Sequence, residues 1–298
     1  MTALIRRHPT ASYFALAFAL SWGGVLAVVA PGPIPAPPRE SQRLFAFVYL
    51  VMLIGPPVAG IVLTAVVAGR RGLRDFRGRL VKWRVAVGWY AIALFTAPLL
   101  LLATLVMLLP VSREFVPAIF TQGAAVSGPV RAASATSFLF LGLGVGIGAG
   151  LFEELGWTGF AVPSVRSKRG VFSTGLFVGV MWGAWHFLAV LWGSADAFGS
   201  VPIPVYLLVA LFSFLPPYRV LMVWVYDRTQ SVLIAVLMHA SLTASMVILG
   251  PPVSGSALLA HDLAFAGALW VVVAAVAVLR IRAAYAPSKS AIVVEPSA

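Results

Sequence analysis

The chain has 298 residues, of which 61% are hydrophobic and 10% charged, with a formal net charge of +12 and no cysteine. Soluble domains carry roughly 25% charged residues, so a water-soluble globular fold is excluded, and the lack of cysteine rules out disulfides, thiolate nucleophiles and cysteine-ligated metals. The positive charge does not point to nucleic acid, because no basic patch is interleaved with aromatic residues and membrane proteins gather Lys and Arg in cytoplasmic loops.

Apolar runs long enough to cross a bilayer recur from end to end. They predict an all-α fold of about eight transmembrane helices, over roughly 11–30, 44–68, 85–109, 137–162, 171–192, 203–226, 230–249 and 257–279. The first run follows Arg6 and Arg7 as a signal peptide would, but Pro31 directly after Ala30 would hinder cleavage, so it is read as an uncleaved first helix. Pro- and Gly-rich stretches separate the spans, and the basic segment 70–84 is read as a loop that sets topology and meets lipid headgroups. The fourth span carries Gly142, Gly144, Gly146, Gly148 and Gly150, which allow close backbone approach. Pro216 and Pro217 should bend the sixth or delay its start. No room remains for a soluble domain, so residues 1–298 form one membrane domain, with a short polar tail from about 286 expected to be disordered. Sixteen basic residues fall on the side of the amino terminus and four on the other, with Arg219 left over near or below the membrane surface. That bias places both termini in the cytoplasm.

Ionisable residues inside a span cost several kcal/mol and are kept mainly where they act. Of nine acidic residues, Glu153 and Glu154 sit side by side in the fourth span, while His186 and His239 lie in the fifth and seventh. Three helices thus bring proton-accepting or metal-ligating groups to comparable depth. Consecutive helical residues diverge by about 100°, so one glutamate should face the cluster and the other support it. Trp182 shares a face with His186, and His239 with Thr243, each pair being four residues apart. A carboxylate and two imidazoles suit zinc with an open position for water, or metal-free general-base catalysis. The same residues also suit a proton or ion path, or hydrogen-bonding glue between helices. The tryptophans Trp157, Trp182, Trp185 and Trp192 are read as packing or interfacial aromatics, and His261 with Asp262 as a solvated helix start.

The ordered motifs Glu153-Glu154-Leu-Gly-Trp-Thr-Gly-Phe, Trp182-Gly-Ala-Trp-His186 and His239-Ala-Ser-Leu-Thr243 resemble the CPBP family of CaaX prenyl endopeptidases and bacteriocin-processing or Abi proteins. The resemblance spans about 137–249 and implies an eight-helix intramembrane peptidase. It implies catalytic roles for Glu153, Glu154, His186, His239 and Thr243, with Glu153 activating water. Glu153, His186 and His239 would be the ligands if a metal is needed, zinc being the default. Two positions depart from the family pattern: Thr158 stands where the family has Arg, and Thr243 where it usually has Asn. Arg219 or Arg166 are candidates to replace the missing cation. The implied substrate is a membrane-associated peptide or a prenylated protein, met in the lipid bilayer of a bacterial cell membrane and without nucleic acid. The alternatives are a catalytically impaired protein acting in binding, immunity or scaffolding, and a proton-coupled transporter; the latter would be expected to show internal repetition, which the chain lacks. Oligomeric state is not legible.

Overall fold

The computed structural model describes residues 2–121 and 134–285. Among them there is no strand, and eight helices are long and apolar enough to cross a membrane. These are α1 (Pro9–Val29), α2 (Pro38–Leu80), α3 (Val87–Leu108), α4 (Ala135–Arg166), α5 (Val171–Gly193), α6 (Ile203–Thr229), α7 (Val232–Leu249) and α8 (Gly255–Leu279). The protein is a polytopic helical membrane bundle. Large apolar side chains such as Phe47, Leu50, Leu99, Phe140, Ile147 and Val271 face outward around it, as lipid contact requires. The expected tail from about 286 lies outside the described residues.

The segment 70–84, expected as a loop, is mostly helix. α2 continues to Leu80 past a non-helical turn at Gly69, whose φ of 60° suits glycine. Its arginines are then displayed on a helix beyond the span. Pro216 and Pro217 act as expected: α6 is broken after Phe212 and restarts at Leu215 with proline in its first turn.

Glycine stripes set the closest helix contacts. A Cβ at Gly142, Gly146 or Gly150 would strike α7 at Ile248, Ala240 or Val236, whereas Gly144 faces open space. This four-residue period is the small-residue packing of membrane helices. An unforeseen second stripe, Gly175, Gly179 and Gly183, seats α5 on Val220, Pro216 and Leu211 of α6.

Cross-links define two ends of the bundle. At one, Arg79 donates to the Tyr226 hydroxyl (2.7 Å) and the Gly159 carbonyl (2.9 Å), Arg166 pairs with Asp227, and Ser231 donates to the Lys82 carbonyl. This is the basic end. At the other, the Ala36 amide donates to the Trp192 carbonyl (2.9 Å) and the Ala118 amide to that of Gly250 (3.1 Å).

Candidate active site

Glu153 and Glu154 occupy the last α-helical turn of α4 before a π-helical turn over Trp157–Ala161. Such turns add a residue and re-aim the side chains around them. The two carboxylates diverge as their spacing demands. Glu153 reaches a cavity; Glu154 turns into the protein and is fully buried.

Glu154 is the hub of a buried polar network. The His239 Nδ1–H donates to its Oε1 (2.7 Å), Arg219 Nη1 lies 2.8 Å from both carboxylate oxygens, and the Thr158 hydroxyl donates to Oε2. Arg219 is fully buried, with its guanidinium carbon 4.2 Å from the Trp182 ring centre. The break in α6 brings this arginine in at Gly179, where any Cβ would crowd the Arg219 Cβ at 3.1 Å. A buried carboxylate needs a partner of opposite charge and filled lone pairs, and Glu154 has both. Of the two cations proposed from sequence, Arg219 reaches Glu154; Arg166 is held by Asp227 at the basic end.

Glu153 is held differently. Its Oε2 accepts the indole N–H groups of Trp182 (2.7 Å) and Trp157 (3.3 Å), and Oε1 lies 3.8 Å from His239 Nε2. Trp157 and Trp182, expected as packing aromatics, therefore also orient the carboxylate. In a span rich in tryptophan, nothing in the sequence separates an indole donor from a packing ring. His186 makes one hydrogen bond, between Nδ1 and the Trp182 carbonyl (2.9 Å), which leaves Nε2 free to face the cavity. Its ring packs edge-on against Trp182 and Trp185.

Glu153, His186, His239 and Thr243 line one cavity of about 190 Å³ with Tyr49 and Trp182. A second cavity of about 230 Å³ meets it at Glu153, His186 and Tyr49. Tyr49, whose hydroxyl donates to the Val145 carbonyl (2.7 Å), carries no sequence signal that marks it for a site. His261 and Asp262 overturn an expectation: they are 1% and 4% exposed, so they are no solvated helix start. Their place at the end of an apolar run hid that α8 packs this turn inward.

A scan against family models matches residues 135–245 to "Type II CAAX prenyl endopeptidase Rce1-like". A curated relative, "CAAX prenyl protease 2" of Methanococcus maripaludis, is 21% identical over 198 residues, covering 66% of this chain and 70% of the relative. Residues 135–245 are thus similar to an Rce1-like endopeptidase core. The match is to part of the chain, and it covers all five of the motif residues that the sequence singles out.

Within the matched segment the two departures have different consequences. Thr158 cannot supply a cation, but Arg219 restores one to Glu154 from another helix. Thr243 keeps a hydroxyl on the cavity wall. The donors present bear on zinc in two ways. His186 and His239 each commit Nδ1 to a second partner, the usual tautomer for an Nε2 ligand. Yet among the described residues no three His, Asp or Glu side chains gather closely enough to hold a metal ion. The residues as placed do not fit a three-ligand zinc site.

Proposed function

We propose that this protein is an intramembrane endopeptidase that hydrolyses a peptide bond of a membrane-associated protein or peptide, using water activated by Glu153. One observation carries the reading. A carboxylate fixed by two indole N–H groups faces a cavity that it shares with two imidazoles and a hydroxyl from two other helices.

In this mechanism a water sits in the cavity between Glu153 and His186 Nε2. Glu153 takes one proton as the hydroxide oxygen bonds to the peptide carbonyl carbon, leaving a tetrahedral oxyanion. The Thr243 hydroxyl, with His239 when its Nε2 is protonated, donates to that oxygen. Glu154 holds His239 by Nδ1, while Arg219 offsets the charge that Glu154 would otherwise leave buried. Collapse of the intermediate breaks the C–N bond, and the proton on Glu153 passes to the departing amine.

Thr243 in place of the family's usual Asn is the observation that favours the rival reading, a catalytically impaired protein acting in binding or immunity. Arg219 counters half of that case by supplying the cation that Thr158 lacks. The test uses purified protein in proteoliposomes with internally quenched peptides bearing an apolar carboxy-terminal segment, prenylated or not. Cleavage by wild type and none by Glu153→Gln, both intact and inserted, supports the peptidase. Equal cleavage by both refutes the role of Glu153. The prenylated and plain peptides together decide whether a prenyl group is required.

A further inference from the structure

We propose that the site takes its substrate from the side of the membrane opposite the basic residues, outside the cytoplasm. What enters is then an uncharged, apolar stretch of an exported or membrane-anchored polypeptide. This rests on the peptidase reading only for the word substrate; the direction of access is argued from the cavity itself.

Toward the basic end, the site is closed. Below Glu153 stand Trp157, Tyr13 and Tyr218, all at 0% exposure, together with the fully buried Glu154–Arg219 pair. Tyr13 meets Trp157 edge-on at 5.6 Å and stacks on Phe160 at 5.4 Å, and Phe14 bridges Trp157 at 5.9 Å to Phe177 at 5.6 Å. Beneath this aromatic floor the helices are cross-linked again by Arg79 to Tyr226 and by Arg166 to Asp227.

Toward the other end, the 230 Å³ cavity leads away from Glu153 and His186. It follows α5 past Ala189 to Trp192, Gly193 and Ser194, at the terminus of that helix. On its other wall it follows α2 from Leu53 back to Phe45, close to the start of that helix at Pro38. His186 to Ser194 is eight residues, about 12 Å of helix at ~1.5 Å per residue. Apart from Trp185, next to His186, the lining residues of α5 and those of α2 thus lie on the side away from Arg70–Arg84, Arg166–Arg169 and Arg228.

The positive-inside bias assigns the two ends. Sixteen basic residues against four put the basic end in the cytoplasm. The cavity then opens to the outer side, and a cytosolic tail would find the aromatic floor between itself and Glu153. The walls define what fits: Phe45, Val48, Met52, Leu53 and Ala189 are apolar, and Glu153 is the one charged group among the lining residues. A charged side chain placed along those apolar walls would lose its hydration, and an acidic one would also meet the like charge of Glu153.

The absence of cysteine makes a direct test available. Single cysteines are placed at Ser194 (S194C) and Ala189 (A189C) in the passage, and at the exposed Ser167 (S167C) at the basic end. A membrane-impermeant maleimide is applied to intact spheroplasts and then to permeabilised ones. The expected result is full labelling of S194C and A189C in intact spheroplasts, and of S167C only after permeabilisation. Labelling of S167C alone in intact spheroplasts overturns the orientation; labelling of S194C without A189C overturns the passage. V190C repeats the readout should A189C fail to insert. Labelling needs no catalysis, so it fails or succeeds apart from the peptidase reading. If the passage labels from outside but no Glu153-dependent cleavage occurs, the peptidase reading falls and the access route stands. If Glu153-dependent cuts fall in cytosolic segments, the access inference falls and the peptidase stands.

Discussion

Among the described residues, two buried histidines hydrogen-bond a carboxylate, and the two pairs are not equivalent. His239 and Glu154 come from different helices and meet at 2.7 Å; His261 and Asp262 are neighbours on α8 and meet at 3.1 Å. The first pair is joined by Arg219 and Thr158, and its free imidazole nitrogen looks toward Glu153 across 3.8 Å. Its ring also packs at 5.0 Å on Trp182, and His239 lines a cavity. The second pair lines neither of the two cavities described above. Burial of a histidine beside an acid is therefore not what marks a site here. Convergence from separate helices, a compensating cation and access for water mark it.

The largest effect that separates the pairs is expected from Glu153→Gln, which keeps the shape but removes the base. Cleavage should fall by about 10² to 10⁴, the usual worth of a positioned general base, with the protein still folded. Next comes Arg219→Met, which strands Glu154. Losing one partner of a buried pair costs roughly 3–5 kcal/mol, read by denaturation in detergent, and cleavage should fall with it. The double variant T158R/R219M returns the cation to the family's motif position and should recover part of both losses. If it is no better than Arg219→Met alone, Arg219 does not stand in for that residue. Thr243→Val removes one oxyanion donor and should lower kcat by about a hundredfold with KM little changed. His261→Asn should leave kcat unchanged while lowering stability by about 1–3 kcal/mol, since it disturbs a buried polar pair outside the site. A zinc chelator should leave cleavage intact; loss that zinc restores would contradict metal-free water activation.

The spans were legible because lipid demands long apolar runs, and all eight lie within a few residues of their expected places except that α2 starts six residues early and runs on at its carboxy-terminal end. There the helix runs on to Leu80, since arginine is a good helix former and the segment has left the bilayer. The acidic and histidine members of the site stood out because ionisable groups are rare in apolar helices. Their partners did not. Trp157 and Trp182 donate to Glu153 with groups that any membrane tryptophan carries, and Tyr49 is one aromatic among many. Arg219 was visible as a misplaced cation, but its approach to Glu154 depends on the break in α6 and on Gly179, which are tertiary facts. His261 was misjudged because position near a helix end says little about which way that turn packs.

The most direct test of the central claim compares polypeptide termini in membranes from cells expressing wild type or Glu153→Gln at matched, inserted levels. The account predicts new peptide ends with wild type alone, at cut points flanked by apolar residues. Identical termini in the two samples would contradict a peptidase built on Glu153.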